Sequence, residues 1–224
     1  MAAFDSELAR HLDRSKGGVY KHVQTLTDRG YLVKDGTDYH LGLRFWTLGT
    51  AVRDRLVPDR VRSVVDDLAA SIGHVVTLVI YESGMAAVVY RQASAAPEQA
   101  FDTGDTLPLH ATASGKAILA YLPQSTRSTV IEGDLEAYTD ATLITRDRLK
   151  DELETVRQQR LASDHGEYDA DVECIAAPIV DASGFPRGAV SVTSGSDQLL
   201  DGELEEDKSL VVSASKSLEN VLTE

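Results

Sequence analysis

The chain has 224 residues, of which 42% are hydrophobic, and its formal net charge is −14. No apolar run approaches the roughly 20 residues of a membrane-spanning helix, and no leader-like segment opens the sequence, so we expect a cytoplasmic protein that does not contact membranes. A single cysteine, Cys174, excludes an internal disulfide and any cysteine-rich zinc site.

Charge is distributed unevenly along the chain. Residues 1–57 hold nine Lys and Arg against seven Asp and Glu, whereas residues 58–224 hold thirteen against twenty-nine. The change favours two domains, and any contact with nucleic acid should belong to the first. Fifteen Arg against seven Lys, with abundant carboxylates, fits a salt-loving organism, although an ordinary acidic surface that maintains solubility gives the same composition.

Residues 6–33 predict two short helices followed by a hairpin. Ser15 can cap the second helix, and Val19, Val23 and Leu26 recur along one face of it. Two alternating strands flank residues 35–38, which is the size of a wing. The N-terminal residues of such a second helix lie in the major groove of DNA. The candidate DNA-contacting residues are therefore Ser15, Lys16, Gly17, Gly18, Tyr20 and Lys21.

Two observations qualify this prediction. Two amphipathic helices joined by a turn also occur in domains that never touch DNA, but the local excess of positive charge favours a DNA-binding domain over residues 1–43. A complete winged helix normally packs a further helix on the helix-turn-helix, whereas only residues 1–4 precede the first predicted helix here. Either the start is misassigned or truncated, or the missing packing comes from elsewhere.

An apolar stripe at helical spacing predicts a linker helix over residues 44–58, and it consists of Phe45, Leu48, Val52 and Leu56. The stripe would be partly exposed without a partner, so we expect at least a homodimer, formed through this helix and through the body. In the body, residues 59–224, helical patterns alternate with antiparallel hairpins such as residues 75–92. The predicted fold class is therefore α+β.

The chain lacks a complete catalytic or metal-binding motif. Residues 111–117 lack both the first glycine of a phosphate loop and the Ser or Thr after its lysine. No Gly-x-Ser-x-Gly elbow occurs, the six histidines are scattered, and a lone strand cysteine such as Cys174 is usually inert. We therefore expect neither an enzyme, nor a cofactor, nor a metal site.

A binding pocket is the remaining hypothesis. Thr112 can cap the helix that follows it and leave the N–H groups of Ala113 and Ser114 free to hold an anion such as a carboxylate. The alternative is that Thr112 only caps a packing helix.

The chain resembles the IclR-type (isocitrate lyase regulator) transcription factors over nearly its whole length. LARHLDRSKGGVYKHVQTLTDRGYL is similar to the family's helix-turn-helix and wing, and YHLGLRFWTLG to the start of its linker helix. LPLHATASGKAILAYLP and DHGEYDADVECIAAPIVDASGFPRGAVSVTSG are similar to two motifs of its effector domain. The resemblance implies a winged-helix domain, a dimerising linker helix and a GAF-like domain that binds a small organic molecule and alters operator binding.

The resemblance also implies an effector site. The family's ligand contacts correspond to Leu107, Ala113, Ser114, Asp164, Cys174, Ser191 and Thr193. Small residues replace other small residues at three of these positions, where the family usually has Gly-Ala for Ala113-Ser114 and Ser for Thr193. In the recognition helix, Gly17-Gly18 replaces a Ser-Thr-like pair. The predicted effector is a small organic acid bearing a hydroxyl or a hydrated keto group, with its carboxylate against the N–H groups of Ala113 and Ser114.

Two functions remain open on the sequence. The first is a ligand-responsive transcription factor that binds double-stranded operator DNA as a homodimer or higher oligomer. The second is a small-molecule sensor or interaction module whose N-terminal domain does not bind DNA.

Overall fold

A computed structural model describes residues 5–93, 101–195 and 204–222. The chain divides into two compact units, Met1–Leu56 and Val57–Glu224. The first unit consists of helices α1 (Asp5–His11), α2 (Lys16–Asp28) and α3 (Arg44–Leu56) and strands β1 (Leu32–Asp35) and β2 (Asp38–Leu41). The helices of the second are α4 (Asp59–Ile72), α5 (Ala113–Tyr121), α6 (Gln124–Glu132), α7 (Arg146–Gln159) and α8 (Leu204–Leu222). Its strands are β3 (Val75–Glu82), β4 (Met85–Gln92), β5 (Ala162–His165), β6 (Val172–Val180) and β7 (Pro186–Gly195).

The first unit has the predicted helix-turn-helix and hairpin. The Ser15 hydroxyl caps α2 by accepting the N–H of Gly18 at 3.2 Å. Val19 and Val23 of α2 are buried against Ala9 of α1 and Tyr39 of β2. Strands β1 and β2 pair in antiparallel fashion. The predicted arrangement of the elements is confirmed.

Several apolar side chains of the first unit remain exposed. Leu26, which the sequence placed on the buried face of α2, is 40% exposed, and Leu12 is 55% exposed. Both lie along an apolar groove between α1 and α2. None of the residues of α3 is buried, and Phe45, Leu48 and Val52 are 46–47% exposed. The predicted burial of Leu26 is therefore wrong for this chain alone, because nothing within the described residues covers the groove.

The second unit is an antiparallel sheet of five strands with helices on both faces. The strand order is β4-β3-β7-β6-β5. Helices α4 and α8 pack on one face, where Leu78, Ile175 and Val190 are fully or almost fully buried. Helix α5 packs on the other face against Val79 and Ala189, and α7 packs on α5. The predicted α+β class is confirmed.

Local sequence signals explain most of these elements. The turn between β3 and β4 has φ of 54° at Ser83 and 85° at Gly84, which matches the two positive φ values of a tight hairpin turn. The bounds of both strands are those predicted. Helix α6 and strand β5 had no clear periodicity in the sequence and were not predicted. None of the helices within the described ranges is long and apolar enough to cross a membrane.

Candidate functional site

A cavity of about 90 Å³ lies in the second unit, between the sheet and the beginning of α5. Six of the seven predicted effector contacts line it: Leu107, Ser114, Asp164, Cys174, Ser191 and Thr193. The seventh, Ala113, is fully buried in the neighbouring apolar core and does not line the cavity. The volume is smaller than the roughly 150 Å³ of an engineered cavity that admits benzene, which favours a compact ligand.

Strand register forms the floor of the cavity. Arg91 of β4 lies opposite Thr77 of β3, and Thr77 lies opposite Ser191 of β7. In the next row Thr193 lies opposite Cys174, and Cys174 lies opposite Asp164 of β5. Because residues two apart on a strand point to the same face, both rows face the cavity.

The first turn of α5 forms the opposite wall. The Thr112 hydroxyl caps the helix by accepting the N–H of Gly115 at 3.0 Å, and it donates to the carbonyl of Pro108 at 3.0 Å. At Gly115 a Cβ would lie 2.4 Å from that same carbonyl oxygen, so only glycine allows the helix to begin this close to the preceding loop. The cap therefore fixes Ser114 at the wall of the cavity.

Asp164 is a buried carboxyl group whose charge depends on pH near neutrality. Burial raises its pKa to about 7, and the carboxylate of Glu167 acts in the same direction. The N–H of Glu167, which Asp164 accepts at 2.7 Å, and the charge of Lys116 act against this rise. The raised pKa favours the protonated form of Asp164, which can donate as well as accept a hydrogen bond.

Lys116 is a functional candidate that the sequence analysis missed. Its side chain is 1% exposed, and its Nζ lies 2.5 Å from Glu167 and 3.1 Å from Glu152 of α7. Burial raises the pKa of Glu167, while Lys116 lowers it. The ion pairs hold α5 against α7 and the loop after β5, directly behind Asp164. In the sequence, a lysine flanked by glycine and alanine gave no sign of burial.

Cys174 presents a neutral thiol to the cavity. Burial raises the pKa of this thiol to about 12, although the hydroxyl of Thr193, which donates to its Sγ at 3.5 Å, lowers it. A thiol of such high pKa is a poor nucleophile at neutral pH. The position therefore offers a small polarisable surface rather than a reactive group.

Arg91 is the second lining residue that the sequence analysis missed. Simple alternation from Ala86 and Val88 predicts that Tyr90 faces the core and Arg91 faces away. A register shift between Leu78 and Val79 inserts one extra residue into β4, so that Arg91 faces the cavity. Tyr90 instead donates its hydroxyl to Asp66 of α4 at 2.8 Å. A sequence carries no signal for a bulge at this position.

The predicted DNA-contacting residues lie together at the N-terminal end of α2. Ser15, Lys16, Gly17, Tyr20 and Lys21 are exposed, and Gly18 is partly buried. Tyr20 is 49% exposed although it is aromatic. The arrangement leaves two cations and a phenol hydroxyl accessible at one end of the helix.

The comparisons with known proteins agree with these features. Residues 50–220 match the model of the bacterial transcriptional regulator IclR C-terminal family. The chain belongs to the IclR family. This IclR-family chain is 34% identical over 205 residues to the glycerol operon regulatory protein of Streptomyces coelicolor, covering 89% of this chain and 80% of that protein. It is 32% identical over 222 residues to the probable HTH-type transcriptional regulator ArcR of Halobacterium salinarum, covering 95% of this chain and 84% of that protein.

A solved structure has the same fold as this IclR-family protein. It is an IclR homolog from Microbacterium hydrocarbonoxydans complexed with 4-hydroxybenzoate. It is 19% identical, superposes with a TM-score of 0.82, and the match covers 99% of this chain and 91% of that chain. The chain is thus a transcriptional regulator of the IclR family rather than an enzyme. Among the side chains of the described ranges, no group of three or more His, Cys, Asp or Glu is arranged to hold a metal ion.

Proposed function

We propose that this regulator binds operator DNA through α2 and that a small organic acid in the cavity of the second unit alters that binding. The observation that carries the proposal is the convergence of six residues, chosen from the sequence as effector contacts, on one cavity. These residues lie on three strands (β5, β6 and β7), on one loop and on α5, so chance is a poor explanation of their grouping around one cavity.

The lining chemistry supports an acid with a second polar group. The hydroxyls of Ser191 and Thr193 donate at 3.5 Å to the Thr77 carbonyl and to the Cys174 Sγ, and a ligand acceptor can replace these long bonds. Asp164 can accept from a ligand hydroxyl or, when protonated, donate to a keto oxygen. The Microbacterium homolog holds 4-hydroxybenzoate, which is an acid of this kind. The predicted carboxylate site at the N-terminus of α5 remains a prediction, and of its two residues only Ser114 lines the cavity.

Calorimetric titration of a panel of central-metabolite and aromatic acids tests the effector half of the proposal. We expect at least one acid to bind with a stoichiometry of one per chain, and Ser191→Leu, which fills the cavity, to abolish that binding. Binding of uncharged compounds alone, or binding that survives Ser191→Leu, would contradict the proposal.

The DNA half rests on Lys16 and Lys21, which are exposed at the beginning of α2 in the one part of the chain with net positive charge. Genome-wide footprinting of the protein would identify the DNA sequence that it binds. The double variant Lys16→Ala/Lys21→Ala should then bind a duplex of that sequence more weakly than the wild type does. The slope of log affinity against log salt should fall by roughly one unit per lost phosphate contact.

The matched control for this measurement is Arg148→Ala/Lys150→Ala. It removes the same number of positive charges from exposed positions of α7 in the second unit. The control should leave affinity and slope unchanged. Equal behaviour of the two double variants would remove the assignment of α2 as the DNA-reading helix.

One observation favours a second function, a sensor that does not bind DNA. Leu12 and Leu26 are 55% and 40% exposed, so the α1–α2 pair is incompletely packed within the described residues. A loosely held α2 would lose conformational entropy on docking into the major groove, which lowers the affinity for DNA. If footprinting recovers no enriched DNA while an acid still binds in the cavity, this second function is the correct one.

A further inference from the structure

Arg91 brings an unsatisfied positive charge to the cavity. Its guanidinium lines the cavity, and its Nη2 is buried without a hydrogen-bond acceptor in the described part of the chain. The side chain as a whole is partly exposed, but a buried N–H donor without a partner is costly, and a guanidinium can only donate. The arrangement therefore favours a ligand that supplies the missing acceptor.

Two further carboxylates, Asp169 and Asp171, line the cavity, but no ion pair joins either of them to Arg91 in the described part of the chain. Lys116 and Asp164 do not take the role of Arg91 either. The charge of Lys116 is already compensated by Glu167 and Glu152, at 2.5 and 3.1 Å. Asp164 lies on β5 and Arg91 on β4, which are the two edge strands of the sheet, so the two groups approach the cavity from opposite sides. Protonation of Asp164 near neutral pH further reduces the negative charge of the far side.

A comparison with Arg62 shows why the cavity matters to the argument. Arg62 also has a buried nitrogen, Nε, without an acceptor among the described residues. Its guanidinium, however, stacks over the ring of Tyr90 at 5.3 Å, and it does not line the cavity. An unpaired nitrogen alone does not indicate a ligand, whereas one that lines a cavity beside the hydroxyls of Thr77 and Ser191 does.

We propose that Arg91 binds the carboxylate of the ligand and that the ligand extends from there across the sheet, with its hydroxyl or keto group toward Ser114 and Asp164. The inference rests on the proposed effector function and specifies its ligand class as monocarboxylates with a polar group at the opposite end. Arginine suits this role because its planar donors match a carboxylate in bidentate geometry. Thr77 and Ser191, in the same row as Arg91, are placed to donate to the same carboxylate or to the ligand's middle.

The experiment compares acids with their own amides, which keep shape and lose charge. The probes are 3-hydroxypropionate with 3-hydroxypropanamide and 4-hydroxybenzoate with 4-hydroxybenzamide, titrated calorimetrically into the full chain. We expect the wild type to bind at least one acid about 10- to 100-fold more tightly than its amide, the range expected for a charge-assisted hydrogen bond. Arg91→Gln should remove most of this preference, and Arg91→Lys should retain part of it.

The control variant is Arg62→Gln, which removes a guanidinium from outside the cavity and should leave both affinities unchanged. Thermal melts followed by circular dichroism establish that each variant folds, and Arg91→Lys provides the test if Arg91→Gln does not. The Arg91 variants should lose affinity for the acid and leave affinity for the amide within about twofold, a pattern that loss of fold would not produce.

Three results would overturn the inference, and each has a different meaning. An acid preference that survives Arg91→Gln would place the carboxylate elsewhere, such as at the N-terminus of α5, and leave the proposed effector function intact. Equal binding of acid and amide, abolished by Ser191→Leu, would keep the cavity as a ligand site and remove the acid class. Failure of all four probes to bind the wild type at millimolar concentration would contradict the inferred ligand class, whereas the proposed effector function fails only if the whole acid panel also fails to bind.

Discussion

Replacement of Asp164 by Asn should change how the stability of the second unit depends on pH. The carboxyl group is 5% exposed, and burial raises its pKa from an ordinary value of 3.8 to about 7. Asn keeps an oxygen that can accept the N–H of Glu167 but cannot ionise. The variant therefore removes the titration of this group and retains much of its hydrogen bonding.

The direction of the effect follows from the raised pKa. Between pH 4 and 7 the folded protein holds a proton on Asp164 that the unfolded chain has released, so stability from this group is present at low pH and is lost as the pH rises through about 7. With pKa values of about 7 folded and 3.8 unfolded, the loss between pH 5 and pH 8 is roughly 3 kcal/mol. The neighbouring charges, Glu167 and Lys116, are unchanged in the variant.

Urea denaturation from pH 5 to pH 8, followed by far-ultraviolet circular dichroism, measures this effect. Fluorescence is unsuitable because the single tryptophan, Trp46, lies in the first unit. From pH 5 to pH 8 the unfolding free energy of Asp164→Asn should rise relative to that of the wild type by roughly 3 kcal/mol. Asp171→Asn, an exposed carboxylate lining the same cavity, is the control and should run parallel to the wild type. If the unfolding free energies of Asp164→Asn and of the wild type change with pH in parallel, Asp164 does not hold a proton in the folded protein, which refutes the raised pKa.

Three further predictions concern packing and assembly. Lys116→Met should lower the unfolding free energy by about 3 kcal/mol in urea titrations, because it leaves the carboxylate of Glu167 buried without its cation; no change would mean that Glu167 reaches water. Gly115→Ala should cost about 2 kcal/mol in the same assay, because its Cβ would overlap the Pro108 carbonyl oxygen, and an unaffected variant would contradict the tight start of α5. Light scattering at micromolar concentration should give at least a dimer, and Leu48→Lys on the exposed stripe of α3 should lower the mass; a monomeric wild type would refute the assigned role of the stripe.

The parts of the fold that sequence predicts well are those whose signal is local. Ser15 at the start of α2, the Ser83-Gly84 turn and the period-two strands beside it each specify a conformation through a few neighbouring residues. Leu26 shows the limit of this reasoning, because helical spacing identifies an apolar face but not whether anything covers it. In the described residues that face borders an open groove, and Leu26 is 40% exposed.

The cavity also contains residues that the sequence predicts and residues that it does not. Ser191, Thr193 and Cys174 could be placed on one face from alternation and a family resemblance, and the register of β6 and β7 puts Thr193 opposite Cys174. Arg91 could not be placed in this way, because one extra residue in β4 reverses which of the following side chains face inward. Lys116 was missed for a related reason. Its burial depends on Glu152 and Glu167, which lie 36 and 51 residues further along the chain.

The two missed residues are the ones that decide the electrostatics of the cavity. The chain carries a net charge of −14, and the whole negative excess lies in the unit that contains the cavity, so composition alone argues against binding an acid there. Exposed charges are screened by salt over about 10 Å, whereas groups inside a cavity interact at short range and with little screening. Inside, Lys116 compensates the carboxylates behind the wall, the raised pKa of Asp164 favours its neutral form, and the Nη2 of Arg91 remains without an acceptor among the described residues. Although Asp169 and Asp171 also line the cavity, Arg91 therefore places a cationic donor at the β4 side of it within a strongly negative protein, and such local groups govern which ligand the cavity can hold.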